Sequence, residues 1–213
     1  MLISDARRAL FVHVPKTGGV SVEKSVRPVW PDARKKVRPH QGRHASLERI
    51  LVTEPALVDY WTFGFVRNPW ARMVSWWSMI DTWNKQRTAY EQGLPGAHKP
   101  RNKGNEMWRA AAQYSGFDEF VLRGTQELSR VGMPQITYLR APTFDRQVDF
   151  IGRTESFADD LRKVQLELGL EPVPPPHRNK SSHGHYSDYY NDATRKRVAE
   201  VFAEDIELFG YSY

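Results

Sequence analysis

The feature that most constrains this chain occurs twice: a short apolar run that reads as a strand, followed at once by a turn built for an anion and by the start of a helix. Leu10-Phe11-Val12-His13-Val14 leads into Pro15-Lys16-Thr17-Gly18-Gly19-Val20-Ser21, and Thr62-Phe63-Gly64-Phe65-Val66 leads into Arg67-Asn68-Pro69-Trp70-Ala71-Arg72-Met73-Val74-Ser75. In the first turn the twin glycines let backbone N–H groups approach a phosphate where a helix begins, with the positive end of the helix dipole behind them. Lys16 adds a mobile charge. In the second, Asn68 and Pro69 read as an N-cap followed by proline at the first helical position, which puts Arg67 at the strand's end and Ser75 two turns into the helix.

Strands followed by helices continue along the chain. The expected elements are a strand over 9–14, a helix over about 18–27, a short helix from Ser46, a strand over 61–66 and a helix over 69–81. A third strand is expected from Gln147 to Gly152, followed by a helix capped by Ser156 with Asp159 three residues on, carrying Phe157, Leu161, Val164 and Leu168 at helical spacing and stopped by Gly169. Val198, Val201, Phe202, Ile206 and Phe209 make a similar face on a last helix ended by Gly210. This alternation predicts a three-layer α/β fold with a mainly parallel central sheet flanked by helices, and ligands at the carboxyl ends of its strands. Two stretches, Lys85 to Asn105 and the proline-bearing Pro172 to Ser187, read as irregular and not helical throughout, and are candidate lids.

At 213 residues and 40% hydrophobic content, the chain is expected to form one domain, 1–213. It has no cysteine, which removes disulfides, thiolate metal sites and a cysteine nucleophile. The N-terminal residues lack the order of a signal peptide, and no apolar run approaches the ~18 residues that span a bilayer, so a cytoplasmic protein is expected, with peripheral membrane association left open. A net charge of +6 favours anionic partners. The basic residues are dispersed, not gathered into a stripe, so a phosphorylated nucleotide explains the sign as well as nucleic acid does.

The two turns resemble the 5′-phosphosulfate loop and the 3′-phosphate motif of sulfotransferases that use 3′-phosphoadenosine 5′-phosphosulfate (PAPS), and most closely those of the carbohydrate-type, family 2-like branch in a bacterial soluble form. The similarity continues through Asp149-Phe150-Ile151-Gly152-Arg153-Thr154-Glu155-Ser156-Phe157, His177-Arg178-Asn179-Lys180-Ser181 and Asp205-Ile206-Glu207-Leu208-Phe209-Gly210-Tyr211. It is weakest over about 82–134, where acceptor specificity is expected to vary. The resemblance implies a P-loop-like sulfotransferase fold, PAPS as donor, adenosine 3′,5′-bisphosphate (PAP) as product, no required metal, and an acceptor hydroxyl on a carbohydrate or glycoconjugate.

It also implies roles. Lys16, Thr17, Gly18, Gly19, Val20 and Ser21 would hold the 5′ side of the donor, with Lys16 also aimed at charge on the leaving phosphate. Arg67 and Ser75 would read the 3′-phosphate, and Asn179, Lys180 and Ser181 would close over the donor. Arg153 has two readings, a nucleotide contact or a salt bridge to Glu155. Among seven histidines, His44 and His40 lie between the two motifs and are the candidate bases for the acceptor hydroxyl, His44 being favoured; Glu48 and Glu106 are the carboxylate alternatives. His13 reads as a core or wall residue, and Arg72 as an ion-pair partner on an exposed helix face. Trp76 and Trp77 read as helix packing. Trp83, Trp108, Tyr114 and Tyr138 read as core first and acceptor contacts second. His183 and His185 flank Gly184 without further ligands, so no metal is expected.

Two rival functions stay open at this level. A P-loop-like nucleotide kinase shares the architecture, but a Walker loop needs Gly-Lys-Ser/Thr after its spacer, and here Lys16 precedes the glycines. A basic nucleic-acid-binding module would show binding that collapses with salt. Oligomeric state is not encoded in any recognisable pattern.

Overall fold

A computed structural model describes residues 1–35, 42–98, 106–174 and 184–213. Its principal elements run β1 (Leu2–Ser4), β2 (Ala9–Val12), α1 (Gly19–Val26), α2 (Leu47–Thr53), β3 (Trp61–Val66), α3 (Pro69–Glu91), α4 (Gln135–Leu139), β4 (Phe150–Arg153), α5 (Phe157–Glu167), α6 (Asp192–Val201) and α7 (Ala203–Phe209). The chain divides into two compact units, Met1–Asn68 with Gln135–Lys180, and Pro69–Pro134 with Ser181–Tyr213.

The first unit is mixed α/β. Its sheet has the order β1-β2-β3-β4. β1 runs antiparallel to β2, while β2–β3 and β3–β4 are parallel, with Phe11 opposite Phe63 and Phe65 opposite Gly152. Alternation along the strands decides what each face meets. Phe11, Phe63 and Phe65 join Val22, Val26 and Trp30 from and just after α1 and Leu161 and Val164 from α5 in one core cluster. Gly64, one residue out of phase, faces the other way, and α4 packs so closely there that a Cβ on Gly64 would come within 2.4 Å of the Leu139 side chain. α2 packs beside α4 on that side. The sheet is therefore covered on both faces, as a mainly parallel sheet requires.

The expected third strand is divided. Phe150–Arg153 joins the sheet, whereas Arg146–Gln147 pairs antiparallel with Arg140–Ala141 in a separate ribbon. Asp149 makes the break: its carboxylate accepts from both the backbone N–H and the hydroxyl of Thr62 at 2.7 Å, taking the place of a ladder bond. The expected cap on α5 also differs. Ser156 makes no cap bond to the helix backbone; its hydroxyl donates at 2.6 Å to Asp160, which also accepts from the Arg153 N–H. Asp160, not Asp159, closes this turn.

The second unit is helical. Trp70, Met73, Val74, Trp76 and Ile80 of α3 form its core with Tyr114, Phe117, Phe120, Val121, Val198 and Phe202, and Trp77 packs against it. α3 continues to Glu91, well past the expected end at 81. The Asp81–Lys85 and Arg87–Glu91 pairs, one turn apart, support the extension, and Gly93 follows at φ 66°. Arg72 corrects the expectation of an exposed ion pair: it is wholly buried, donates to the Met133 carbonyl at 3.2 Å and lies over the Phe202 ring. The last apolar face is split into α6 and α7 at the buried Phe202, and Gly210 ends it at φ 60°.

Candidate active site

The first turn lies between the end of β2 and α1. Lys16 and Gly18 both take left-handed backbone, at φ 70° and 76°. Left-handed residues are a component of the backbone turns that gather N–H groups around an anion, and the first N–H groups of α1 have no partner within the helix. Gly18 takes that backbone without strain. Lys16 does not, and a side chain held in the left-handed region costs about 1–2 kcal/mol. Gly19 is required for a different reason: a Cβ there would stand 2.2 Å from the His13 ring. The loop thus rests directly on that imidazole.

Thr17 is wholly buried and its hydroxyl donates inward to the Val14 carbonyl at 2.9 Å, which ties the turn back to the end of the strand. Ser21 is half-buried in the first turn of α1, with its N–H on the Gly18 carbonyl at 2.8 Å. Val20 is exposed. The Lys16 amine is pushed down to about 8, first by burial and then by the nearby positive charge of Arg67. Two cations from the ends of neighbouring strands therefore act on one another, an arrangement that an anion between them relieves.

The second turn is held by side chains. Beyond the last residue of β3, the N–H of Arg67 donates to Gln135 Oε1 at 2.9 Å, and the Arg67 carbonyl accepts from Gln135 Nε2 at 2.8 Å. The next N–H, of Asn68, donates to Glu155 Oε1 at 2.7 Å. Arg67 is half-buried and Arg153, at the end of β4, is exposed. Ser75 lies on α3 in the second unit and is half-buried. His40, Asn179, Lys180 and Ser181 lie outside the described residues.

Under the loop sits a cluster that the sequence reading did not assemble. His13 is buried at the end of β2 and Nδ1 lies 3.0 Å from Glu23 Oε1. The other oxygen of Glu23 accepts from Lys35 at 2.9 Å and from Arg43 at 2.8 Å. Burial pushes the His13 imidazole down, toward the neutral form. Burial works against the Glu23 carboxylate, but its bonds from His13 and Lys35 and the Arg43 charge outweigh that and hold it well below the usual range. Glu23 lies on α1 one turn beyond the glycines; the signal was a carboxylate on a helix face that otherwise reads as core. His44 completes the group. Its ring meets that of His13 edge-on at 4.4 Å between centroids, and Nδ1 lies 2.9 Å from the His13 carbonyl. A carbonyl only accepts, so Nδ1 carries a proton, and in the neutral form of the ring the lone pair is on Nε2. Glu48, the carboxylate alternative, accepts from the Thr143 N–H at 3.3 Å.

A family model described as Sulfotransferase family matches residues 1–212. The chain belongs to the sulfotransferase family. No curated protein and no solved structure matches it. Membership supports transfer of a sulfuryl group, and the mixed α/β unit with its mainly parallel sheet is the fold that membership implies. No described helix is long and apolar enough to cross a membrane, and among the described residues no cluster of three His, Asp or Glu side chains could hold a metal.

Proposed function

We propose that this sulfotransferase takes its sulfuryl group from PAPS and moves it to a hydroxyl of a carbohydrate or glycoconjugate, releasing PAP. The observation that carries the donor reading is the placement of two cations, Lys16 and Arg67, just beyond the carboxyl ends of the adjacent parallel strands β2 and β3. PAPS suits that pair because it bears phosphate at both the 5′ and 3′ positions. The cradle fits it too: left-handed backbone at Lys16 and Gly18, and no Cβ at Gly19. The acceptor class rests on the resemblance of the motifs to the carbohydrate-type branch.

PAPS supplies a sulfuryl group bonded through oxygen to its 5′-phosphate. As the acceptor oxygen bonds to sulfur, the bond from sulfur to that bridging oxygen breaks, and the electron pair stays on the phosphate. Lys16 and the N–H groups at the head of α1 stabilise the charge that develops there; one such donor is worth about 10²–10³ in rate. His44 takes the acceptor's proton at Nε2, the nitrogen that carries the lone pair when the ring is neutral. Arg67 holds the 3′-phosphate, with Ser75, Arg153 and the 179–181 segment as further donor contacts.

A thermal-shift series tests the donor. PAP at about 100 times its Kd should add ~2.7 kcal/mol of stability, a rise of roughly 5–10 °C for a chain of 213 residues. AMP, which has no 3′-phosphate, should give a clearly smaller rise at equal concentration. Equal shifts for PAP and AMP, or a shift only with ATP and magnesium, would sink the donor assignment.

A further inference from the structure

Gln135 is wholly buried at the first position of α4, and both ends of its carboxamide reach the backbone of a single distant residue, Arg67. The oxygen accepts from the Arg67 N–H and the nitrogen donates to the Arg67 carbonyl. A carboxamide has the donor and acceptor of a peptide group at nearly the same spacing, so Gln135 pairs with Arg67 as a neighbouring strand residue would. The need for it is visible in the ladders. β2 pairs with β3 only as far as Gly64, and β4 pairs as far as Val66, whose carbonyl takes the Thr154 N–H. Arg67 is the first residue beyond both ladders, and without a partner its backbone would be the loose end of the sheet.

We infer that Gln135 is the positioning residue of the 3′-phosphate arm, setting the Arg67 backbone, and through it the guanidinium, in the orientation that meets the nucleotide. The inference rests on reading Arg67 as the 3′-phosphate ligand. A fork of five N–H donors is worth its full strength only when both its plane and its reach are fixed. A side chain whose backbone is free must be ordered at each binding event, which lowers affinity without removing any contact. Gln135 touches neither the nucleotide nor the acceptor in this scheme and acts only through the peptide it clamps.

Calorimetric titration of PAP and AMP against four proteins tests it: Arg67→Ala, Gln135→Met, Gln135→Asn, and the Arg67→Ala/Gln135→Met double variant. Methionine keeps the length and removes both hydrogen bonds; asparagine keeps the amide and falls short by one methylene. Each Gln135 variant should cut the ratio of PAP to AMP affinity by about tenfold, the weight of one hydrogen bond to a charged group, and leave AMP affinity within about twofold. The double variant should show no lower ratio than Arg67→Ala, since nothing remains for Gln135 to aim. A wild-type ratio in the folded Gln135 variants, or losses that add in the double variant, overturns the inference. If Gln135→Met does not fold, the ratio in Gln135→Asn decides. A separate result marks failure of the underlying reading: if Arg67→Ala itself leaves the ratio unchanged, Arg67 does not read the 3′-phosphate, and the inference falls with it.

Discussion

The two strand ends of the first unit bind their turns by opposite means. After β2 the chain shapes itself: left-handed backbone at Lys16 and Gly18, a bare Cα at Gly19, and a Thr17 hydroxyl returning three residues to Val14. After β3 the chain is shaped from elsewhere, by Gln135 and Glu155, 68 and 87 residues from the peptides they hold. A turn made by its own backbone can present N–H groups, which suits charge that grows during reaction and must be met at close range. A turn held by distant side chains leaves its own side chain to reach outward, which suits a fixed phosphate met by a guanidinium. One end is a cradle and the other an arm.

The sharpest way to break this comparison is Lys16→Ala. If the first end acts on developing charge, turnover should fall by about 10²–10³, while PAP affinity falls much less, because the lysine matters most when the bridging oxygen becomes negative. Alanine keeps the left-handed strain at φ 70°, so a change in folding does not mimic the effect. Steady-state kinetics beside PAP titration decide it. A raised Michaelis constant at unchanged turnover would make Lys16 a second arm, and the contrast would collapse.

Next in size is Gly19→Ala. Its Cβ would fall 2.2 Å from two atoms of the His13 ring, and that ring is pinned by burial and by Glu23. Overpacking of this kind costs about 1–3 kcal/mol. The sharper form is a cycle with His13→Ala, measured by denaturant unfolding. Removing the ring should recover most of the Gly19→Ala loss, so that the two changes couple instead of adding. Additive losses would mean that the loop does not rest on His13.

The same contrast explains what could be read from the residues alone. The cradle is local: strand, Pro-Lys-Thr-Gly-Gly and helix start fall within about a dozen consecutive residues, although the reason Gly19 can carry no side chain, the His13 ring, emerges only when the turn folds back on the strand. The mainly parallel sheet, the alternation of strands and helices along the chain, and the stop at Gly210 follow from the same short-range chemistry, whereas the run of α3 on to Glu91 does not. The arm is not local. Nothing around Arg67 names Gln135, and the reason Asp149 divides the third strand lies across the sheet at Thr62. Burial of Arg72 was hidden likewise, because the carbonyl of Met133 and the ring of Phe202 come from distant segments. Nothing around Glu23 marks its role either, because its partners His13, Lys35 and Arg43 come from other parts of the chain. Polar groups that satisfy one another over long separations have no period and leave no pattern.

The smallest effect separates the two ends by pH. In the free protein the Lys16 amine lies at about 8, lowered by burial and by Arg67, and a bound 5′-phosphate raises it by favouring the charged form. The sign follows: below about 8 lysine is already charged and PAP affinity holds its full value, and as pH rises above 8 binding must take up a proton and weakens, by at most about tenfold per pH unit for a single group. The phosphates do not confound this, because their second ionisation is near pH 6 and is complete above 7. Arginine does not titrate in this range, so the arm contributes the same at every pH. PAP and AMP should therefore weaken in parallel from pH 8 to 10, with their affinity ratio flat, and both slopes should vanish in Lys16→Ala. A ratio that changes with pH would place the titrating charge at the 3′-phosphate and exchange the roles given to the two strand ends.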